Sequence, residues 1–340
     1  MICHTLIRLS IYHSARACYN EAMQVFTATP FFTPASPGLR FLPEGPRALQ
    51  NYPTPDPLLG WVAIQQSFQT LTGSVNLLNL RTLDNQTHPL PGRAGFFVET
   101  DQPGVIVVGL ERALVLYDLQ ARRLLGAPFP VTTDERVVIN DGYSVPGGLL
   151  FGTKHTSFQE RIACMYFFEA ATRKLHTLHD AQICANGKFL YPGGLVDIDS
   201  PNKTLDHYPF DPVNFRLGPR RIIADFRDTP LFPDGLRPSP DGESVIVAFY
   251  NPEPAPEGLA REYRLRDGAV LAEWRLPGSP RVTCPEVLSL NGRTQVLFTT
   301  AVEGMEPPVP LAGTLFLADT AYDRPTPPPP LFPATALGEH

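Results

Sequence analysis

A six-bladed β-propeller is the fold the sequence predicts, and three observations predict it. Short apolar runs separated by turn residues fill residues 59 to 320, and no stretch of 3.6-residue periodicity exceeds about two turns. A composite pattern of polar residue, short strand-like segment, tight turn and apolar strand recurs at offsets of 46, 48 and 50 residues, from Asn140 to Asn186, to Asp234 and to Cys284. Several runs are apolar on both faces, most clearly Val245-Ile246-Val247-Ala248-Phe249-Tyr250. Strands covered on both sides read this way, whereas sandwich strands alternate. Small four-stranded sheets packed face to face around an axis satisfy all three, at the ~45 residues typical of a blade. The regular offsets count against the rival, a pair of β-sandwiches.

Along the chain, residues 1 to 37 read as an N-terminal extension, partly disordered, residues 38 to 322 as the propeller, and residues 323 to 340 as an irregular, Pro-rich tail. The opening "MICHTLIRLSIYHSARACYNEAM" carries Arg8 and Arg16 and no acid before Glu21, as transit peptides do. A disordered extension, or translation begun upstream of Met23, is the stronger reading. Six units follow, their leading strands beginning near Leu59, Ala94, Gly148, Gly194, Ser244 and Thr294. Further strands follow within most units, as in "SVNLLNLRT", "ALVLYDLQARRLL", "IACMYFFEAATRKLHTL" and "EYRLRDGAVLAEWRL". Between segments stand the turns Pro146-Gly147-Gly148, Pro192-Gly193-Gly194 and Pro240-Asp241-Gly242, where Gly takes positive φ without steric cost.

Composition narrows the function classes. The 340 residues are 43% hydrophobic and 18% charged, below the roughly 25% charged residues of average soluble domains. A net charge of −6 provides no basic field for nucleic acid or anionic lipid. No apolar stretch approaches the ~18 residues of a membrane span. The five cysteines, Cys3, Cys18, Cys164, Cys184 and Cys284, form no CxxC pair and no metal-type spacing, which suggests reduced thiols in a cytoplasmic compartment. The expected partner is a small-molecule substrate, met by a monomer or weak homo-oligomer.

In a propeller the innermost strand of each blade lines a central channel. Equivalent residues of successive repeats therefore converge, and Asn140, Asn186 and Asp234 should meet at the channel mouth. Unpaired polar groups in a confined hole cost on the order of 1–3 kcal/mol each, more for a carboxylate. A bound cation removes that penalty. Ordinary Asx turns, common wherever Asn-Asp-Gly and Asp-Gly occur, would explain the same residues without one.

The stretches "FLPEGPR", "INDGYSVPGGLLFGTKH", "ANGKFLYPGGLVDIDSPNKTLDHYPFD", "FPDGLRPSPDGESVIVAFYNP" and "PRVTCPEVLSLNGRTQVLFTTAVEGM", taken in this order and separation, resemble the senescence-marker-protein, gluconolactonase and luciferin-regenerating-enzyme family over roughly residues 38 to 320. The resemblance implies a six-bladed propeller with one divalent cation at the channel mouth and hydrolase activity, mostly on sugar lactones. It implies that Glu44, Asn186 and Asp234 bind the metal and that Asn140 contacts the metal's open side and the substrate. The repeat singles out Asn140, Asn186 and Asp234 unaided; Glu44 rests on the resemblance. Sugar-lactone members often carry Arg two residues before the Asn-Asp-Gly asparagine, where this chain has Val138.

A carboxylate-and-amide site is hard and favours Ca²⁺ first, with Mg²⁺, Mn²⁺ or Zn²⁺ as alternatives. The expected chemistry is lactone hydrolysis, with the cation polarising the carbonyl and Asp234 or a metal-bound water delivering hydroxide. Asn140 and Asp234 are the catalytic candidates, and Asn140 and His155 the substrate contacts. A structural role for His155 is the alternative, and His176, His179 and His207 fall in outer strands or loops. Cys284 should lie along the channel, packing there. "GYSVP" fails as a nucleophile elbow because Pro146 stands where Gly is required, and neither HExxH nor a phosphate loop is present. Two rival functions share the fold: hydrolysis of phosphotriesters or aryl esters at the same site, and ligand binding without turnover.

Overall fold

Each long apolar run forms a strand buried on both faces. Val245 to Phe249, for example, are all essentially inaccessible. In the computed structural model, which describes residues 23–66 and 71–338, these strands assemble into six sheets around a central channel. The chain enters through β1 (Gln24–Thr27) and β2 (Thr29–Phe32). Blade one is β3 (Leu42–Ala48), β4 (Leu58–Gln66), β5 (Leu71–Asn79) and β6 (Asn85–Leu90). Blade two is β7 (Ala94–Glu99), β8 (Val105–Leu110), β9 (Ala113–Asp118) and β10 (Arg123–Pro130). Blade three is β11 (Val137–Val145), β12 (Gly148–His155), β13 (Ala163–Glu169) and β14 (Lys174–Gln182).

Blade four is β15 (Ala185–Tyr191), β16 (Gly194–Asp199), β17 (Thr204–Tyr208) and, after a small ribbon of β18 (Phe210–Asp211) and β19 (Arg216–Leu217), β20 (Arg221–Asp225). Blade five is β21 (Phe232–Pro238), β22 (Ser244–Tyr250), β23 (Glu257–Arg264) and β24 (Val270–Pro277). Blade six is β25 (Val282–Leu290), β26 (Arg293–Thr300) and β27 (Leu315–Asp319).

Five of the six runs expected to lead their units are second strands. β4, β12, β16, β22 and β26 each have a hydrogen-bonded neighbour on both sides, and only β7 begins its blade. The continuous apolar signal marks the strand buried most completely. The inner strand beside it reads as more polar because it faces the channel.

The boundary expected at residue 37 also shifts. β2 pairs antiparallel with β27 as the outermost strand of blade six, and β1 adds in parallel to β24 as a fifth strand of blade five. The N-terminal strands thereby join the end of the chain to its beginning and close the ring, with Phe26 stacked on Trp274 at 5.6 Å between ring centroids. The readings of residues 1 to 22, including the comparison with a transit peptide, lie outside the described residues. The tail is ordered too. Phe332 bridges Thr100, a short 3-10 turn spans Ala334–Ala336, and Phe332, Ala334, Ala336 and Leu337 pack into the core of blades two and three. The three histidines expected in outer segments lie on β14 and β17. Among the described residues no helix is long and apolar enough to cross a membrane, and Cys164, Cys184 and Cys284 are free thiols.

One buried group carries a pH liability. His88, on β6, is 1% exposed, its ring nitrogens have no hydrogen-bond partner among the described residues, and Tyr117 meets it edge-on. Burial, with Arg122 adding to it, pushes its pKa down to about 4. The unfolded chain therefore takes up this proton near pH 6.5 while the folded protein refuses it until about pH 4. Stability should fall across that window by on the order of 2–3 kcal/mol. His88→Phe is expected to remove this slope while leaving stability above pH 7 nearly unchanged, as read by urea unfolding at pH 7.5 and pH 4.5.

Candidate metal and catalytic site

The channel-facing side chains share one local device. In every blade the pairing of the innermost strand with the second shifts register: between Glu44 and Arg47, Ala94 and Phe96, Ile139 and Gly142, Ala185 and Lys188, Pro233 and Leu236, and Val282 and Cys284. A β-bulge leaves a residue out of the ladder and re-aims its side chain. The residues left out of register begin with Gly45, Gly95, Asn140, Asn186, Asp234 and Thr283, while Glu44 stands just before its bulge, still paired with Val62. The polar residues of the spacing repeat thus lie at bulges, and the tight turns expected six residues on are present at Pro146–Gly147, Pro192–Gly193 and Pro240–Asp241.

The following glycines answer a second constraint. A Cβ on Gly187 would lie 2.7 Å from the Leu236 backbone nitrogen, and one on Gly235 would lie 2.5 Å from Cys284 Sγ. Neighbouring inner strands approach too closely for any side chain there. Cys284 is accordingly a packing residue, its sulfur filling the space beside Gly235.

Glu44, Asn140, Asn186 and Asp234 line one cavity of about 420 Å³, together with Leu42, Lys154, Phe158, Cys184, Ser200, Phe232, Tyr250 and Glu303. Asn140 Nδ2 donates to Ala185 O at 2.9 Å and to Asn186 Oδ1 at 3.0 Å, which leaves its own Oδ1 toward the cavity. Asn186 is held in turn. Its Nδ2 donates to Ser200 Oγ at 2.8 Å, and Ser200 donates on to Pro233 O at 2.7 Å. Below it, Lys188 donates to the Asn186 carbonyl at 2.5 Å and pairs with Asp197 at 3.3 Å, both side chains being almost inaccessible. These contacts fix which oxygens face inward.

The two carboxylates stand apart from that network. Among the described residues no side chain donates a hydrogen bond to Glu44 or Asp234, and no cation comes within ion-pair distance of either. Burial, and then the negative charges of Asp234 and Asp141, hold the Glu44 carboxyl well above its usual range. Burial and Asp141 do the same to Asp234. Lys154, whose ammonium lies 5.5 Å from the Phe158 ring centroid, offsets both only in part. The donor set suits a hard divalent cation, which relieves exactly this repulsion of like charges. Among the described residues no three His, Cys, Asp or Glu side chains gather around one point. Such a cation would therefore depend on two carboxylates completed by amide and backbone oxygens.

His155 does not line this cavity. Its ring is 4% exposed, and Nδ1 accepts the backbone N–H groups of Gln159 and Glu160 at 3.1 and 2.8 Å. The physical reason is alternation: adjacent residues of a strand face opposite ways, and Lys154 takes the cavity side. His155 instead braces the loop that presents Phe158, whose φ of 56° is left-handed. Lys154, Ser200 and Lys188 were not found by sequence reasoning. The runs around Lys154 are buried on both faces and so carry no phase. Ser200 and Lys188 act through a partner that only the fold supplies.

The matching family model, described as the SMP-30/Gluconolactonase/LRE-like region, covers residues 42–302. In three dimensions the chain is similar to a calcium-binding protein, regucalcin, from Agrobacterium tumefaciens strain C58, with 20% identity over 91% of this chain and 99% of that one and a TM-score of 0.73. It is similar also to a luciferin-regenerating enzyme, with 15% identity over 90% of this chain and 99% of that one and a TM-score of 0.70. No curated protein matches the chain by sequence. The two likenesses in structure bear on the fold.

Ser200→Ala is expected to cost about 1–3 kcal/mol in urea unfolding, because it leaves Asn186 Nδ2 and the Pro233 carbonyl unpaired in a buried setting. The propeller should otherwise persist, with an unchanged far-ultraviolet circular dichroism spectrum.

Proposed function

Because the chain belongs to the SMP-30/gluconolactonase/LRE-like family, we propose that it is a divalent-cation-dependent hydrolase acting on a lactone. One observation carries this reading: Glu44 and Asp234 line a single cavity with no side-chain partner to neutralise them among the described residues. Glu44, Asn186 and Asp234 would hold the cation, Ca²⁺ being the first choice for an all-oxygen donor set. When bound, it supplies positive charge that polarises the carbonyl of a cyclic ester. Asp234 is the base, its carboxylate taking the proton of the attacking water. Asn140, with both amide hydrogens committed inward, presents Oδ1 to orient substrate or water. Lys154 is placed to pair with the carboxylate that ring opening creates.

The wall above the carboxylates favours a substrate with an apolar substituent. Leu42, Phe158, Phe232 and Tyr250 line it, and Val138 is buried on β11, away from the cavity. An alkyl or aryl lactone fits this wall better than a polyhydroxylated one, since hydroxyls set against these four side chains would lose hydrogen bonds to water. The same wall keeps aryl esters and phosphotriesters as a second reading. Three free thiols among the described residues support a reducing, cytoplasmic setting, and a small substrate is the only partner the proposal requires.

The test uses a panel of aliphatic, aryl and sugar γ- and δ-lactones, aryl esters and phosphotriesters. Turnover should disappear on chelation, return with Ca²⁺, Mg²⁺ or Mn²⁺, and be highest for the apolar lactones. Activity indifferent to chelation would sink the proposal. Asp234→Asn should lower kcat/KM by about 10²- to 10⁴-fold, the usual contribution of a positioned base. It should also abolish the rise in Tm that the cation gives the parent protein. Glu44→Gln is expected to lose that rise as well. Each variant, with one buried like charge removed, should melt no lower than the chelated parent.

A further inference from the structure

At the opposite end of the channel lies a guanidinium, that of Arg47, which makes no ion pair among the described residues. In β3 and β21 a cationic residue lies three positions beyond the carboxylate of the first mouth, Arg47 after Glu44 and Arg237 after Asp234. Both face a second cavity of about 290 Å³, lined also by Tyr143, Glu286 and Pro325 to Pro329. We infer that this far mouth is a binding site for a small oxyanion, a carboxylate or a phosphate, held by Arg47 beneath the proline-rich tail.

The two arginines differ in what they already bind. Arg237 is fully engaged: Nε donates to Glu286 Oε2 at 2.9 Å, one terminal nitrogen to Leu236 O at 2.8 Å and the other to Pro46 O at 3.1 Å. Arg47 is 6% exposed, yet its Nε has no hydrogen-bond partner among the described residues, and Nη2 reaches only Gly142 O at 3.3 Å. Tyr143 covers one face of the guanidinium at 4.5 Å, leaving its edge toward the cavity.

The nearby acids are occupied. Glu286 is paired with Arg237 and accepts Ala48 N–H at 3.1 Å, while Glu99 accepts the N–H groups of Gln50 and Asn51 at 2.9 and 2.7 Å. Asp141 stands between the two mouths: its charge acts on Glu44 and Asp234 and also on Arg237, and its Oδ1 accepts Gly142 N–H at 2.7 Å. Burial, and then the charge of Arg237, push the Arg47 pKa down, and the nearby Glu286 charge offsets this only in part. Leaving a buried guanidinium unpaired is costly. Its planar fork matches two oxygens of a carboxylate or phosphate and gains less from a spherical halide.

The tail supplies the lid. Thr326 Oγ1 donates to Pro238 O at 2.7 Å, Gln50 Nε2 to Pro329 O at 2.8 Å, and Ser144 Oγ to Pro330 O at 2.6 Å, so blades five, one and three are strapped together across the opening. Prolines bring no N–H donor over the cavity. Thr326 Oγ1 and Gln50 Nε2 are already spent on backbone carbonyls, so Arg47 is the charged donor left to an anion there. This strap lies outside residues 42–302, the stretch that matches the family model, and the site is independent of the function proposed for the first mouth.

Thermal unfolding and isothermal titration of the full chain, without added divalent cation, test the inference. Potassium acetate and potassium phosphate are compared with potassium chloride at matched ionic strength. At least one oxyanion should raise Tm by about 2 °C at ten times its Kd, with chloride giving no such rise. Acetate alone would identify a carboxylate site, and phosphate alone a phosphate site. Arg47→Met should fold, melt in chloride no lower than the parent, and lose the oxyanion response. Arg47→Lys, which keeps the charge but not the fork, should bind at least 10-fold more weakly. The inference fails if neither oxyanion acts, if chloride acts equally, or if either variant responds like the parent.

Discussion

The constraint on which this molecule depends is the close approach of six inner strands around one axis. Between blades four, five and six that approach leaves no room for a Cβ at Gly187 or Gly235. A bulge in each inner strand accommodates it, twisting one residue out of the ladder and into the channel. The same distortion that lets the blades pack therefore sets the functional side chains. Asx-Gly occurs at Asn186-Gly187 and Asp234-Gly235 because the first residue must project inward and the second must not project at all.

Blades do not contribute equally. Blade two places Gly95 at its bulge and offers no side chain, and blade six places Thr283 there, whose hydroxyl donates to Pro43 O at 2.6 Å and helps join the last blade to the first. Blades one, three, four and five supply the carboxylates and amides. A ring of near-equivalent positions has thus been divided between closure and chemistry. The channel is also layered along its axis: carboxylates with Lys154 at one mouth, and two arginines with Glu286 and Tyr143 at the other. At each mouth charges stand where water is scarce and electrostatic interactions are strong, and in each at least one of them makes no ion pair among the described residues.

Much of this is legible in the chain as written. Continuous apolar runs such as Val245 to Phe249 reveal strands covered on both faces, and the offsets between Asn140, Asn186 and Asp234 reveal the repeat that brings them together. Other parts have no local signal. Glu44 precedes no tight turn, since β3 and β4 are joined by residues 49–57, so the repeat passes over it and only the family resemblance points there. Of Lys154 and His155, the imidazole was the chemically attractive choice. Yet strand phase gives the cavity to the lysine, and a strand apolar on both faces does not display its phase.

What the sequence by itself determines is the architecture and the convergence of Asn140, Asn186 and Asp234 on one cavity, because burial periodicity and repeat spacing are properties of the chain's order. What only the tertiary structure decides is closure and partnership. β1 and β2 look like an extension until they meet β24 and β27, and the proline tail looks irregular until it crosses the far mouth. Whether a charge is neutralised depends on groups tens or hundreds of residues away. Arg237 finds Glu286, while Arg47, Glu44 and Asp234 find no such partner among the described residues, and spacing along the chain carries no information about that difference.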